Sequence, residues 1–160
     1  NKGVLEFCEC ARKVKEKHPD AVFNYLGWEG NVKVADIKEY LDDGSVNYLG
    51  VTSDTRPYYK ECTALILPSY REGMPVSVME AQATGRAVIV TDVAGCRETA
   101  RDGYNGFIVP AANADALAEK AIFMIEHPEE TRAMGENARL FAEENFDRKK
   151  INERLIEIVK

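Results

Sequence analysis

Apolar and polar positions follow two different periods along the chain, and each change of period marks an element. Val4, Phe7, Cys8, Ala11 and Val14 recur at helical spacing and form one stripe, which Pro19 brings to an end. Ala21 to Leu26 then reads as a strand. Val34, Ile37 and Leu41 make a shorter helical stripe closed by Gly44, followed by a brief strand at Val46 to Leu49 and a small helix over Pro57 to Thr63. Ala64-Leu65-Ile66-Leu67 has no polar alternation, which predicts a central strand buried on both faces. Pro75 to Thr84 is the next helix, stopped by Gly85. Ala87 to Thr91 is a second central strand and Gly106 to Val109 an outer one. Three helices follow. Asn113 caps the first, which stops before Pro128; Glu129 and Glu130 suit the positive end of the second; Ile151, Leu155 and Ile158 stripe the third.

This order of elements predicts an α/β fold, a Rossmann-like parallel sheet with helices on both faces. With 160 residues, 45% of them hydrophobic, the chain suits a single domain, residues 1–160, without internal repeat or linker. A parallel crossover normally starts with a strand, whereas this sequence opens on a helix, so a first strand is expected ahead of Lys2.

The formal charge of −6 is spread evenly, with 10 basic against 13 acidic side chains in residues 1–80 and 11 against 14 in residues 81–160. Without a Lys/Arg cluster there is no footprint for nucleic acid. The longest apolar runs fall far short of the roughly 20 residues needed to span a bilayer, and no export leader is visible ahead of the first helix. Cysteines at 8, 10, 62 and 96 have neither C-x-x-C nor zinc-like spacing; they read as free cytosolic thiols in the core.

The candidate chemistry lies in Pro68-Ser69-Tyr70-Arg71-Glu72-Gly73-Met74-Pro75-Val76-Ser77-Val78-Met79-Glu80-Ala81, which follows a predicted strand and opens a helix, the place where open α/β sheets bind ligands. Pro75 suits the first helical position and leaves amides near Gly73, Met74 and Val76 free to donate, so that donors and dipole together form an anion site. Gly73 lets backbone and ligand approach closely. The helix is apolar on nearly every side and is expected to be sandwiched within the domain, which makes Glu80 a carboxylate in need of a partner. Ligand hydroxyls, an Arg or Lys, or water would each satisfy it. Glu72, just ahead of the helix, also has a plainer reading as a complement to the dipole. Glu80 lies about 7.5 Å along the axis from Pro75 at 1.5 Å per residue, so two carboxylates flank an anion site, as a sugar, a diphosphate and a ribose in series would require.

Glu72 and Glu80, seven residues apart inside Pro-Ser-x-x-Glu-Gly-x-Pro, resemble the E-x7-E signature of retaining glycosyltransferase family four. The stretches Gly85 to Asp92, Gly95-Cys96-Arg97-Glu98, Asp102 to Pro110 and Met134 to Arg139 are similar to that family too, so the resemblance covers essentially the whole sequence. It implies the C-terminal, nucleotide-sugar-binding half of a GT-B enzyme, with the N-terminal acceptor domain and the first strand lying outside the chain. By the same resemblance Glu72 is the catalytic-site group that holds donor-sugar hydroxyls, and Glu80 accepts the ribose hydroxyls. Gly73, Met74, Pro75 and Val76 lie against sugar and diphosphate, Pro75 contributing no amide. Lys2, in a Lys-Gly pair with Gly3, neutralises donor phosphate; the family's partner Arg has no counterpart in this sequence. Gly50 and Val51 end a strand near the base.

The resemblance further implies no cofactor and no metal for donor binding, the nucleoside-diphosphate sugar being a substrate. The motif wording is similar to bacterial enzymes of capsule, O-antigen and lipid-linked oligosaccharide synthesis. A UDP-linked GlcNAc, GalNAc or glucose is therefore the expected donor, and a polysaccharide or lipid-linked sugar the acceptor. The expected location is cytoplasmic, at the inner face of the membrane in a longer enzyme, this half alone being inactive. The rival readings are a stand-alone nucleotide-sugar-binding module and a related GT-B phosphorylase or epimerase. His18 and His127 precede prolines at helix ends, where the dipole accounts for them, and Asp42-Asp43 reads as turn chemistry ahead of Gly44.

Overall fold

The computed structural model describes residues 2–147. Helix α1 (Val4–Lys17) buries Cys8, Cys10, Ala11 and Val14, with Glu6 in its first turn and Lys15 and Lys17 in its last, each complementing the helix dipole. It ends where the His18 N–H reaches the Val14 carbonyl at 2.8 Å, one residue before Pro19. Burial pushes the Cys8 thiol up to about 11 and the Cys10 thiol up to about 12; all four cysteines are free, Cys8, Cys10 and Cys96 in the core and Cys62 only partly buried at its margin.

Strands β1 (Asn24–Tyr25) and β2 (Asn47–Tyr48) pair in parallel, Asn24 opposite Asn47 and Tyr25 opposite Tyr48. Both are shorter than the periodicity predicts. Ahead of β1 the Ala21 N–H turns back to the His18 carbonyl at 3.0 Å, so the apolar run starts as a turn before it becomes a strand. Between them a 3-10 turn (Val34–Ile37) leads into α2 (Lys38–Asp42), and after β2 comes α3 (Arg56–Glu61).

A second parallel sheet has the order β3-β4-β5, with β3 at Ala64–Leu67, β4 at Ala87–Thr91 and β5 at Gly106–Val109. The described residues thus form two parallel sheets where the element order predicts one. β4 is buried at all five positions, whereas every residue of β3 is only partly buried. A continuous apolar run reports two apolar faces. It does not report whether both edges are paired, and among the described residues β3 has a neighbour on one edge only.

Helices cover both faces of β4. Ala87 and Ile89 point to α1 and α5 (Ala114–Glu126), while Val88 and Val90 point to Val78 and Ala81 of α4 (Val76–Ala83). Each fully buried Val or Ile contributes about 1.5–3 kcal/mol. The Asn113 carboxamide oxygen accepts the Ala116 N–H at 2.9 Å, the predicted N-cap of α5. Helix α6 (Pro128–Asn145) lies along α4, close enough that a Cβ on Gly135 would come within 2.4 Å of the Gly85 carbonyl oxygen. The stripe of Ile151, Leu155 and Ile158 lies outside the described residues. Among the described residues no helix is long and apolar enough to cross a membrane.

Candidate functional site

The loop between β3 and α4 is built outward from buried hydroxyls. Thr91, at the end of β4, donates its hydroxyl to the Ser69 carbonyl, and Ser69, itself fully buried, donates its own to Glu72 Oε1 at 2.8 Å. The Lys2 ammonium reaches the same oxygen. Lys2 gets there because Gly3 adopts φ +67 and lies flat on the following loop, where a Cβ would stand 2.0 Å from the Pro68 carbonyl oxygen. Only 10% of the Glu72 side chain remains exposed. Its Oε2 has no hydrogen-bond partner among the described residues.

A second loop presses on the first. A Cβ on Gly95, at φ +86, would stand 1.6 Å from the Gly73 carbonyl oxygen and 2.5 Å from that of Glu72. The Gly95 N–H is held by Glu98 Oε2 at 2.5 Å, and burial pushes the neighbouring Cys96 thiol up. Glu72 and Gly73 are thereby clamped between Lys2, Ser69 and the Gly95 turn.

Pro75 is buried at the N-cap position of α4, its carbonyl accepting from Val78 at 3.1 Å and Met79 at 3.3 Å. The amides of Gly73, Met74, Val76 and Ser77 donate to no described residue, and Gly73, Met74 and Val76 are exposed. This leaves an uncapped helix N-terminus facing solvent, with the positive end of the dipole behind it.

Glu80 corrects the sequence reading. Helix α4 is buried at Val78, Ala81 and Gln82, but Val76 is 60% exposed and Glu80 is exposed as well, so the helix is not enclosed on every side. Glu72, read as the blander acid, is the more buried of the two. Glu80 is nevertheless held. Thr55 Oγ1 donates to Glu80 Oε2 at 3.0 Å and Tyr59 Oη approaches the same oxygen at 3.4 Å, leaving Oε1 without a described partner.

Gly50 and Val51 follow β2. The Gly50 carbonyl accepts the Gly27 N–H at 2.9 Å, and Val51 is 43% exposed. Gly27 precedes Trp28, the single tryptophan, 80% exposed with its carbonyl held by Tyr25 Oη at 3.2 Å. Sequence reasoning misses Thr55, Tyr59, Thr91 and this exposed indole. The four-residue spacing of Thr55 and Tyr59 is visible in the chain, but not the helix it faces.

The histidines take no part in this site. His18 meets Glu126 at 3.1 Å, and His127 stacks on Phe123 with ring centres 4.2 Å apart. Asp43 accepts the Ser45 N–H at 2.8 Å and pairs with Arg12, which is turn chemistry as expected.

The family profile described as glycosyl transferases group 1 matches residues 1–141. Among similar proteins, an N,N'-diacetylbacillosaminyl-diphospho-undecaprenol alpha-1,3-N-acetylgalactosaminyltransferase of Campylobacter jejuni is 38% identical over 138 residues, 86% of this chain and 36% of that protein. The capsular polysaccharide biosynthesis glycosyltransferase CapM of Staphylococcus aureus is 28% identical over 158 residues, covering 97% of this chain and 42% of that protein. Among solved structures, Anabaena HepE in complex with UDP superposes with a TM-score of 0.88 at 21% identity, over 99% of this chain and 45% of that one. A glycosyltransferase from Rickettsia africae gives 0.87 at 26% identity, over 98% and 43%. The chain therefore spans about 36–45% of the length of these relatives.

Proposed function

The chain belongs to the glycosyl transferases group 1 family, and from that premise we propose that it is the donor-binding half of a retaining hexosyltransferase of GT-B type. The observation that carries the reading is the open N-terminus of α4, with four undonated amides, flanked by two carboxylates that each keep one oxygen unoccupied. In this reading the amides of Gly73, Met74 and Val76 receive the diphosphate, Glu72 Oε2 receives donor-sugar hydroxyls, and Glu80 receives the ribose. Gly50 and Val51 border the base. As the glycosidic bond to the diphosphate breaks, negative charge grows on the leaving phosphate. The fixed amides and Lys2 are already oriented toward it, which lowers the barrier without reorganisation.

The donor we propose is a UDP-linked GlcNAc, GalNAc or glucose, and the acceptor hydroxyl belongs to a surface polysaccharide or lipid-linked oligosaccharide. The names of the Campylobacter and Staphylococcus relatives and the UDP held by the Anabaena structure support this choice. Acceptor contacts belong to a preceding N-terminal domain, and a strand upstream of Lys2 adds to the sheet; the edge of β3 left unpaired among the described residues is where such a strand fits. The full enzyme works in the cytoplasm against the membrane face, and donor binding needs no metal.

Calorimetric titration with UDP, UDP-GlcNAc, UDP-glucose, GDP-mannose and ADP-glucose at matched ionic strength, with and without EDTA, tests the proposal. Trp28 provides a parallel fluorescence signal. Binding confined to the uridine series and insensitive to EDTA is the expected result. Preference for another base overturns the UDP assignment, and binding of no nucleotide sugar overturns the donor-site reading.

A further inference from the structure

We infer that Thr55 and Tyr59 are a positioning pair for Glu80: they occupy its Oε2 and turn Oε1 outward for a vicinal diol, so that the site selects ribonucleotides over deoxyribonucleotides. The inference rests on the donor-binding reading above.

Thr55 occupies the N-cap position of α3, where a threonine hydroxyl normally accepts an amide of the first turn. Here it makes no such bond. The cap is supplied one residue earlier. Asp54 Oδ1 accepts the Arg56 N–H at 3.1 Å, and its carboxylate grips the Arg56 guanidinium at 2.8 and 2.9 Å. The Thr55 hydroxyl is thus released from local duty and spans 3.0 Å to Glu80 Oε2, across 25 positions of sequence.

Tyr59 stands four residues on, and that spacing puts both hydroxyls on one face of α3, toward α4. Its ring is buried and its Oη lies 3.4 Å from the same Oε2, a longer contact than that of Thr55. Burial, and then the Glu80 charge, push the phenol above its usual range, so it stays a proton donor throughout the neutral range. Two donors converging on one oxygen use both of its lone pairs. An exposed glutamate on a surface helix would otherwise sample many rotamers, and this one is held in place before any ligand arrives.

A role confined to packing α3 on α4 predicts something different from a role in aiming Glu80, and the two separate on the ribose hydroxyls. The chain and its Tyr59→Phe, Thr55→Val and Thr55→Ser variants are titrated with UDP and with 2',3'-dideoxy-UDP, alongside melting temperatures. The parent should favour UDP roughly tenfold or more, as expected for a charge-assisted bond to a diol. Thr55→Val should narrow that ratio by roughly threefold or more, Tyr59→Phe by less, and Thr55→Ser should restore it, all at unchanged dideoxy affinity.

Ratios unchanged in both Thr55→Val and Tyr59→Phe, or equal losses for both ligands, overturn the inference while leaving the donor site standing. A parent that binds both ligands equally removes the diol role of Glu80 and the inference with it. A parent that binds neither overturns the donor reading itself.

Discussion

Replacing Gly95 by alanine should do more damage at the proposed donor site than any conservative change to a side chain in it. The added Cβ would stand 1.6 Å from the Gly73 carbonyl oxygen, and ordinary contact begins near 3.4 Å, so that oxygen must retreat by about 1.8 Å. Both clashing partners, the Glu72 and Gly73 carbonyls, are backbone, and no rotamer change relieves them. The φ of +86 adds a cost of about 1–2 kcal/mol for a residue with a Cβ, and overpacking adds about 1–3 kcal/mol, giving about 2–5 kcal/mol of destabilisation. Gly44→Ala is the matched control, because Gly44 has φ +74 and nothing within 4 Å of its Cβ position, so it reports the conformational cost alone. Urea unfolding gives the stabilities, and calorimetry with UDP gives the affinities. Gly44→Ala should lose about 1–2 kcal/mol of stability and keep its affinity. Gly95→Ala should lose more stability and bind UDP at least roughly tenfold more weakly, since a displacement above 1 Å takes Glu72 and the Gly73 amide out of register with the ligand. Equal stabilities for the two variants together with unchanged UDP affinity would refute the clamp.

Glu72→Gln should weaken affinity for a UDP-sugar more than for UDP, whereas Glu80→Gln should weaken both; a calorimetric comparison in which the two variants behave alike removes the division of roles. Lys2→Met should cost roughly tenfold in UDP affinity, and adding Glu72→Gln should recover much of it, because the uncompensated carboxylate rather than the missing ammonium does most of the harm; no recovery in the double variant contradicts this. Asp54 is held down to about 2 by its bonds to Arg56, against 3.8 for an ordinary aspartate, so it contributes stability above the unfolded value that is lost as pH falls through the folded one. Acid titration of stability from about pH 4 to about pH 2 should therefore be shallower in Asp54→Asn than in the parent, and identical slopes would count against the Asp54 cap.

Much of this site is legible in the sequence, because its chemistry is local. Pro75 marks the start of α4, and the separation of Glu72 from Glu80 puts one acid ahead of the helix and one on it. The burial of these acids is not legible. Counting Val76 among the apolar positions suggests an enclosed helix, yet Val76 sits in the first turn, where α4 opens to solvent, and it is 60% exposed. Long-range partners are equally hidden. Thr55 and Tyr59 meet Glu80 across 25 and 21 positions, and Gly95 presses on Gly73 across a gap that no period in the sequence encodes. The edge status of β3 is hidden for a related reason, since side-chain pattern reports faces and hydrogen-bond partners decide edges.

In the proposed donor site a chain with a formal charge of −6 offers two carboxylates to an anionic ligand, which raises the question of how the ligand is not repelled. The answer lies in the pairing around the site. Asp54 is matched by Arg56 and Asp92 by Arg97 at 3.2 Å, while Glu98 is spent on the Gly95 amide. Glu72 carries Lys2 on its inner oxygen, and Glu80 shares its inner oxygen between two hydroxyls. Between them stands the N-terminus of α4, equivalent to about half a positive charge, with its amides unspent. On the proposed reading, the potential an incoming diphosphate meets is therefore set by amides and an ammonium, while each carboxylate offers its remaining oxygen to a neutral hydroxyl. A carboxylate accepts from hydroxyls best when it is charged, and it is tolerable beside a phosphate only when that charge is locally balanced. Tying down one oxygen of each acid meets both conditions, which is why the groups behind Glu72 and Glu80 matter to this site as much as the two acids themselves.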